Sequence, residues 1–249
     1  MNLLEAMPQI KSLSTEQINK DFLVNSNLCI SKDERYRIVY TPFEYVNKKS
    51  KIVLIGITPG QTQLINAYEA VIENKSEKEI KKIAAFSGDM RRVLINSLNS
   101  IWPKDLFGVS DCTQLFNEKN DLIHSTSLLK DAVFEYDTKT GCYIDFKEAT
   151  KIWKNEILCK EFESNFLMEC KKLPEDIVLI CLGDKVFNVI SEAKQKNLIR
   201  QNNIIFVPHP SGASPFREFY YKKPEEVNDK YNQYQARKRD SRKILKQLI

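Results

Sequence analysis

The chain has 249 residues, of which 42% are hydrophobic and 29% charged, and its formal net charge is +5. This composition supplies enough apolar side chains for one large core and excludes a disordered or low-complexity protein. No stretch approaches the roughly 20 apolar residues needed to span a bilayer, and the amino terminus lacks the regions of a secretory signal. We therefore expect a cytoplasmic protein that makes no membrane contact.

Cysteines and histidines limit the metal chemistry that the chain can support. Six cysteines are scattered without a Cys-x-x-Cys pair, and the only histidines are His124 and His209. Zinc sites need grouped ligands, so we expect neither a metal nor another cofactor. The cysteines are predicted to be mostly ordinary small hydrophobic residues in a reducing compartment. Any chemistry that requires an imidazole has two candidates.

The net charge is concentrated near the carboxyl end. Residues 221–249 contain nine basic and four acidic side chains, which leaves the rest of the chain formally neutral. This segment predicts a basic C-terminal helix. One interpretation is a solvated helix; the other is a contact surface for a polyanion, which interleaved tyrosines favour. These tyrosines are Tyr220, Tyr221, Tyr231 and Tyr234.

Predicted strands and helices alternate along the chain. In order they are an N-terminal helical extension (1–35), an edge strand (37–40), a buried strand (51–57), helices (61–73 and 87–101), a strand (122–129), a long amphipathic helix (147–172), a buried strand (177–182), a helix (184–194), a buried strand (203–207) and the basic C-terminal helix (221–249). Continuous apolar runs are typical of parallel strands buried on both faces. We therefore expect one α/β domain over 1–249, a three-layer sandwich with a central four-stranded parallel sheet.

Three loops follow strands of the predicted sheet, at 58–60, 126–130 and 209–214. Ligands of such sheets bind at the carboxyl ends of the strands, so we expect these loops to converge in one cleft. His209 lies between two prolines, which restrict its backbone. The serines and glycine that follow it offer hydroxyl and N–H groups to a phosphate. This combination suggests cleavage of a nucleotide, because a donor aimed at a departing base lowers the barrier.

Two of these loops resemble motifs of the uracil-DNA glycosylase superfamily. Ile55-Gly56-Ile57-Thr58-Pro59-Gly60 resembles its first motif, particularly in the mismatch-specific and single-strand-selective branches. Val207-Pro208-His209-Pro210-Ser211-Gly212-Ala213-Ser214 resembles its last motif. Leu182-Gly183-Asp184-Lys185 and Phe86-Ser87-Gly88-Asp89 resemble segments between them, so the resemblance covers roughly residues 35–217. The stretch Tyr40-Thr41-Pro42-Phe43-Glu44-Tyr45-Val46-Asn47 resembles an uncharacterised bacterial branch.

The resemblance implies a DNA glycosylase, which flips a damaged or modified base from single- or double-stranded DNA and hydrolyses its N-glycosidic bond. It implies that His209 stabilises the departing base and that Thr58 occupies the position that orients or activates water. Asp89 is the best carboxylate candidate for that second function, and a helix N-cap is its alternative role. The expected base pocket contains Gly56, Ile57, Pro59, Gly60 and Ser127. The expected DNA-phosphate contacts are Ser211, Gly212, Ser214 and Arg217.

Three positions depart from the family pattern. Thr58 replaces an Asn, Asp or Glu, and a hydroxyl is a poor general base. Thr126-Ser127 stands where the family often has Thr-Asn, whose amide recognises uracil. Ala213 replaces a bulky wedge, a role that Phe216 or Arg217 could take. All three residues are smaller than the family's, so we expect a roomier pocket for a modified or hypermodified base, with a role in DNA repair or antiviral defence.

Two other functions stay open at this point. A catalytically weak or inactive DNA-binding relative of the same fold is the main alternative, and Thr58 is the residue that favours it. A nucleotide-binding protein of flavodoxin-like shape would need a phosphate-loop signature, and the sequence has none. We expect the protein to be a monomer.

Overall fold

The computed structural model describes residues 1–84, 88–211, 217–218, 220–221 and 229–249. The α-helices are α1 (Leu3–Lys11), α2 (Lys20–Leu23), α3 (Gln61–Ile72), α4 (Glu77–Ala84), α5 (Gly88–Asn99), α6 (Glu156–Glu161), α7 (Met168–Cys170), α8 (Asp184–Gln195) and α9 (Asp229–Lys246). The strands are β1 (Cys29–Lys32), β2 (Tyr36–Val39), β3 (Ile52–Gly56), β4 (Ile123–Ser127), β5 (Ala132–Asp137), β6 (Cys142–Asp145), β7 (Val178–Leu182) and β8 (Asn203–Val207). Short 3-10 helices lie between several of them, and a π-helical turn, Phe162–Leu167, separates α6 from α7.

The described residues form two compact units. The first contains residues from 1–46, 57–84 and 126–168, and the second contains residues from 47–56, 88–125 and 169–249. An antiparallel sheet belongs to the first unit, whereas β3, β7 and β8 of the parallel sheet belong to the second.

The parallel sheet has the strand order β4-β3-β7-β8. The ladders between β3 and β7 and between β7 and β8 are both parallel. Every residue of β3 and β7 is buried, because both strands lie inside the sheet and both of its faces are covered. Helices α5, α8 and α9 pack against β7 or β8. The predicted α/β fold with a four-stranded parallel sheet flanked by helices is confirmed.

The outer edge of β8 is covered by the carboxyl end of the chain. The Ser241 hydroxyl of α9 accepts a hydrogen bond from the Phe206 N–H at 3.1 Å. The Tyr220 hydroxyl donates to the Phe206 carbonyl at 2.8 Å. Since unpaired strand edges invite association with other chains, these side chains complete the hydrogen bonding of the edge. The helix predicted over 221–249 is therefore part of the fold of the second unit.

The first unit contains a sheet that the sequence pattern does not predict. Its strand order is β1-β2-β5-β6, and each ladder is antiparallel. The strand predicted over 37–40 is present as β2, but its predicted place at an edge is wrong, because β2 lies between β1 and β5. The first four residues of β5 are all buried, which removes the alternation that marks an antiparallel strand. The turn before β6 ends at Gly141, whose φ of 69° is the one local signal of a hairpin.

Helices α1, α3 and α4 pack together in the first unit. Its core includes Ala6, Ile10, Leu64, Ala67, Tyr68, Ile80 and Phe134. The Tyr68 hydroxyl donates to the Tyr40 carbonyl at 2.7 Å, which fixes α3 to the segment after β2. The segment expected to be a helical extension, 1–35, holds α1 and α2 but also β1, because residues 29–32 pair with β2.

Candidate active site

The carboxyl ends of three parallel strands lie at one edge of the sheet in the second unit. Gly56 ends β3, Gly183 follows β7, and His209 is two residues beyond β8. The register aligns Ile55 with Cys181 and Leu182 with Val207, so the strands end at similar levels. Such an edge is where ligands of parallel sheets bind.

Gly183 sets the approach of β7 to His209. Its φ is +94° and its ψ is 163°, a conformation that is nearly exclusive to glycine. A Cβ atom at this position would lie 3.2 Å from the Cβ of His209. The Gly183 N–H also donates to the Val207 carbonyl at 2.8 Å. Only glycine therefore combines this backbone conformation with this close contact.

The hydrogen bonds of His209 determine its tautomer. The Ser211 backbone N–H donates to His209 Nδ1 at 3.2 Å, and the Ser211 Oγ lies 2.9 Å from the same nitrogen. A backbone N–H can only donate, so Nδ1 is the acceptor and carries no proton. In a neutral imidazole the proton is then on Nε2.

Burial lowers the pKa of the His209 imidazole. An unperturbed histidine has a pKa of about 6.5, so the lowered pKa makes His209 neutral at pH 7. Protonation of Nδ1 would also oppose the donating Ser211 N–H. His209 is thus a neutral donor through Nε2–H, and it can stabilise negative charge without carrying a positive charge itself.

The remaining residues of the last motif are only partly described. Ser211, a predicted phosphate contact, lies against the ring of His209. Arg217 donates from its guanidinium to the Pro210 carbonyl at 3.2 Å, which connects it to the His209 segment. The other predicted or discussed positions, Gly212, Ala213, Ser214 and Phe216, lie outside the described residues.

The Thr58 hydroxyl of the first motif makes two backbone hydrogen bonds within the first unit. It donates to the Asp131 carbonyl at 2.9 Å and accepts from the Val133 N–H at 3.0 Å. A hydroxyl has a single proton, and here that proton is used. Thr58 therefore joins the segment after β3 to the start of β5, and its hydroxyl has no proton left to donate to a water.

The segment after β4 lies against the first motif. The Leu129 N–H donates to the Ile57 carbonyl at 2.9 Å. Pro59 is buried, whereas Ile57, Gly60 and Ser127 are partly exposed. These predicted pocket residues are thus accessible within the first unit, with the exception of Pro59.

Buried charges follow this segment. Asp131 is 2% exposed and accepts the Thr41 N–H at 2.7 Å. Its backbone N–H donates to the Glu161 carboxylate at 3.1 Å, and Lys130 Nζ lies 3.4 Å from its own carboxylate. Burial raises the pKa of Asp131 well above its usual range, with the cation of Lys130 opposing the shift. The network also includes Glu44, which lies 3.5 Å from Lys130 Nζ.

Asp89 is the second residue of α5, in the second unit, so it lies near a helix start as predicted. Its side chain is 85% exposed and lies 3.6 Å from Arg92, one turn along the helix. A carboxylate with this exposure faces water. Nothing in its described surroundings resembles the dry environment in which general bases are tuned.

The second histidine has a structural role. His124 is 2% exposed, and its Nε2 lies 2.9 Å from the Glu169 carboxylate. Its Nδ1 is 3.5 Å from the Asn47 N–H. Because both ring nitrogens are engaged inside the second unit, His124 is not available to a substrate.

Several basic side chains of α9 hold this helix in place. The Arg237 guanidinium pairs with Asp184 at the start of α8 and lies over the rings of Phe187 and Phe206 at 4.8 Å. Lys238 donates to the Tyr220 carbonyl, and Arg242 donates to the Ser100 carbonyl at 2.9 Å. Arg237 and Lys238 are therefore held within the second unit, whereas Arg242 stays exposed while it makes this hydrogen bond.

A second set of α9 cations faces solvent. Arg239, Lys243 and Lys246 are exposed, and their spacing of four and three residues places them along one side of the helix. We call them the exposed basic row. Tyr220 and Tyr234 are buried, so these two of the four interleaved tyrosines do not contribute to a surface for a polyanion. A count of basic residues in the sequence overestimates this surface, because some of these residues point into the fold.

The described residues contain no group of three or more His, Cys, Asp or Glu side chains that could hold a metal ion. All six cysteines are free thiols. No helix in the described ranges is long and apolar enough to cross a membrane.

Sequence reasoning missed the roles of two residues here. Gly183 was recognised in a motif but not as a residue that positions His209; a glycine between a buried strand and a helix is the signal that could have found it. Asp131 was missed because it lies just beyond the predicted strand 122–129, in a stretch for which no element is predicted.

Comparison with known proteins gives a curated relative and a similar solved structure. No family model matches the chain. The uncharacterized protein YoxB of Bacillus subtilis (strain 168) is 30% identical over 222 residues, which is 84% of each of the two chains. The crystal structure of wild-type SMUG2 from Pedobacter heparinus is similar with a TM-score of 0.42 and 13% identity, covering 93% of this chain and 96% of that one.

Proposed function

The chain belongs to the family of Bacillus subtilis YoxB, and we propose that this member is a DNA glycosylase. It hydrolyses the N-glycosidic bond of a base that has been flipped out of DNA. The proposal combines the two motifs quoted above with the chemistry of the His209 surroundings.

The arrangement of His209 and Ser211 is the observation that carries the proposal. When a glycosidic bond breaks, the electron pair moves onto the base, and a fixed donor lowers the energy of that anion. The Ser211 N–H holds the proton on Nε2, and burial keeps the ring neutral. The close contact between Gly183 and His209 fixes the backbone that carries the imidazole ring. Preorganised neutral donors of this kind contribute about 3–4 kcal/mol to catalysis.

The second unit also supplies contacts for the DNA backbone. We assign this role to the exposed basic row of α9, to Arg217, and to Gly212 and Ser214 of the last motif. Lysine and arginine contacts to phosphates dominate the affinity of proteins for DNA and make it depend on salt. Ser211 has a different role in this account, because its hydroxyl and its N–H both contact His209.

The substrate that we propose is a modified or bulky base, in a repair or antiviral defence role, and uracil is not the preferred one. Discrimination of uracil needs a donor and an acceptor on its edge, which an amide provides and the Ser127 hydroxyl provides less completely. Thr58 turns its hydroxyl to Asp131 and Val133, so it adds no second polar group for the base. The protein is proposed to act as a cytoplasmic monomer without a cofactor.

Base release from a panel of DNAs tests the proposal. Purified full-length protein is incubated with single- and double-stranded oligonucleotides that contain uracil, 5-methylcytosine, 5-hydroxymethylcytosine or a glucosylated hydroxymethylcytosine. Mass spectrometry detects the free base, and alkali reveals the abasic site. We expect release of a modified base, and a fall of about 10²–10³-fold in His209→Ala while DNA affinity is unchanged. Release of uracil alone would refute the substrate assignment, and release of no base would refute the activity.

A DNA-binding relative without catalysis is the second candidate, and the hydrogen bonds of Thr58 favour it. At the position where the uracil-DNA glycosylase superfamily carries its water-activating residue, this chain has Thr58. The Thr58 hydroxyl is already satisfied by two backbone groups. On this alternative, His209→Ala leaves DNA affinity intact and the wild-type protein shows no release on any substrate. The same panel therefore separates the two functions.

A further inference from the structure

Two chain segments of the second unit meet at the backbone of His209. One is the junction of β7 and α8, where a Cβ atom added to Gly183 would lie 3.2 Å from the Cβ of His209. The other is the end of β8, where the Val207 carbonyl accepts the Gly183 N–H at 2.8 Å. A group that holds these two segments together therefore sets the position of the imidazole.

Arg237 of α9 contacts both segments. Its guanidinium donates to Asp184, which is the first residue of α8 and the neighbour of Gly183. Its Cζ also lies 4.8 Å from the ring centroids of Phe187 in α8 and Phe206 in β8. A planar guanidinium can make an ion pair at its edge while its faces lie against aromatic rings. Arg237 thus joins the start of α8 to the end of β8.

The carboxylate of Asp184 is held by two donors from the same helix. Its Oδ1 accepts from Arg237, and its Oδ2 accepts the Tyr234 hydroxyl at 2.7 Å. Burial, and then the hydrogen bond to Asp184, raise the pKa of Tyr234, so its hydroxyl stays protonated and donates. The side chains of Arg237 and Asp184 are only 16% and 25% exposed, so salt screens this ion pair less than a surface pair. The direction of the carboxylate is therefore fixed by α9.

Other contacts attach α9 to the second unit independently of Arg237. The Ser241 hydroxyl accepts the Phe206 N–H at 3.1 Å, and Arg242 donates to the Ser100 carbonyl at 2.9 Å. Because these contacts remain when the Arg237 side chain is shortened, we expect α9 to stay in place. A substitution of Arg237 should then act locally, on the segments that flank His209.

We propose that Arg237 is a positioning residue for His209, which it holds in place through Asp184 and the neighbouring Gly183. The consequence for base release rests on the proposed glycosylase function, whereas the placement of the ring does not. A displacement of about 1 Å in a catalytic group can lower a rate about 10²-fold. Arg237 therefore affects the reaction through the segments that it joins, and it does so without touching the substrate.

The test compares Arg237→Gln with a matched control, Arg242→Gln. Both substitutions remove one positive charge and one contact of α9, but Ser100, the partner of Arg242, belongs to neither segment beside His209. Nitrogen-15 NMR at pH 7 follows the His209 ring, and single-turnover release at saturating DNA gives the rate. In Arg237→Gln we expect shifted His209 signals and a rate lower by about 10–10²-fold, with a DNA affinity close to that of Arg242→Gln. In Arg242→Gln we expect wild-type signals and rate.

Two further variants test the ion pair itself. Arg237→Lys keeps the charge but not the planar guanidinium, so we expect partial recovery of the rate and of the His209 signals. Asp184→Asn removes the other partner, and its loss of rate should not add to that of Arg237→Gln in the double variant, because both break one interaction. If Arg237→Gln does not fold, Arg237→Lys and Arg242→Lys give the same NMR comparison.

The outcomes separate this inference from the proposed function. Wild-type His209 signals in folded Arg237→Gln would overturn the inference, whatever the rates are. Equal losses of rate in Arg237→Gln and Arg242→Gln would also overturn it, because any contact of α9 would then have the same effect. Release of no base by the wild-type protein would refute the glycosylase function, and the NMR comparison would still decide whether Arg237 positions His209.

Discussion

The two loops that resemble family motifs use their polar side chains in opposite ways. In the second unit, His209 uses Nδ1 for its hydrogen bonds with Ser211, and among the described residues none accepts Nε2–H. In the first unit, the Thr58 hydroxyl is satisfied by two backbone groups and serves the fold. Similarity of sequence to an active-site motif therefore does not guarantee a reactive side chain. What decides is which hydrogen-bonding groups the surrounding structure leaves unsatisfied.

Gly183→Ala is the substitution that we expect to disturb the position of His209 most. The added methyl would meet the His209 Cβ at 3.2 Å, and the backbone conformation would cost about 1–3 kcal/mol. A displacement of about 1 Å in a catalytic group can lower a rate about 10²-fold. We expect that loss in single-turnover base release by folded protein.

Gly108→Ala is the matched control for that substitution. Gly108 also has a positive φ, of 69°, but its nearest neighbour is the flexible end of Lys119 at 3.9 Å. We expect lower stability and an unchanged rate. Equal losses of rate in the two variants would show that Gly183 does not position His209.

Thr58→Val tests whether the Thr58 hydroxyl serves the fold and not the reaction. The substitution removes the hydroxyl and leaves the Asp131 carbonyl and the Val133 N–H without their partner. An unsatisfied buried group costs about 1–3 kcal/mol, so we expect a loss of that size in the free energy of unfolding measured in urea. The release rate of the folded fraction should change by less than about tenfold, which on a free-energy scale is under about 1.4 kcal/mol.

The exposed Thr138 provides the control for Thr58. Thr138→Val, in the hairpin turn of the same unit, should leave stability almost unchanged. If Thr58→Val instead kept full stability and lost its release activity, the hydroxyl would be catalytic and the contrast between the two loops would fail.

Only part of the fold could be predicted from the sequence alone. Continuous apolar runs located β3, β7 and β8 to within a residue or two, because strands buried on both faces carry an unambiguous signal. The antiparallel sheet escaped prediction, since β5 is buried without alternation and β6 is only four residues long.

The site was predicted unevenly for a similar reason. His209 could be identified because prolines on both sides and the strand before it constrain its position. The satisfied hydroxyl of Thr58 could not, because it depends on contacts across more than 70 residues of sequence. Such pairings are set by tertiary structure and leave no local pattern.

A charge reversal tests whether the second unit also holds the DNA. Replacing the exposed basic row with glutamate should weaken DNA binding to the same extent for every DNA sequence. The variant changes Arg239, Lys243 and Lys246. The slope of log affinity against log salt should fall by about 0.9 for each phosphate contact that is lost. Glutamate at the exposed Lys75, Lys78 and Lys82 near α4 changes the net charge equally. Equal effects of the two triple variants would indicate a non-specific effect of net charge.

The smallest expected effect is on the pH dependence of stability. Because burial lowers the pKa of His209 in the folded state, the unfolded state binds its proton more readily. Stability is therefore complete above the unfolded pKa of about 6.5 and decreases as pH falls below it. Urea unfolding at pH 7.5 and 5.5 should show a larger decrease for the wild-type protein than for His209→Gln. An identical decrease would contradict the lowered pKa.

Nitrogen-15 NMR of the imidazole rings tests the central claim most directly. The chain has two histidines, so the His209→Ala spectrum assigns the signals without ambiguity. At pH 7 we expect His209 to be neutral, with a protonated Nε2 and an unprotonated Nδ1 that accepts the Ser211 N–H. A doubly protonated ring, or a proton on Nδ1, would contradict the proposal that His209 donates to a departing base.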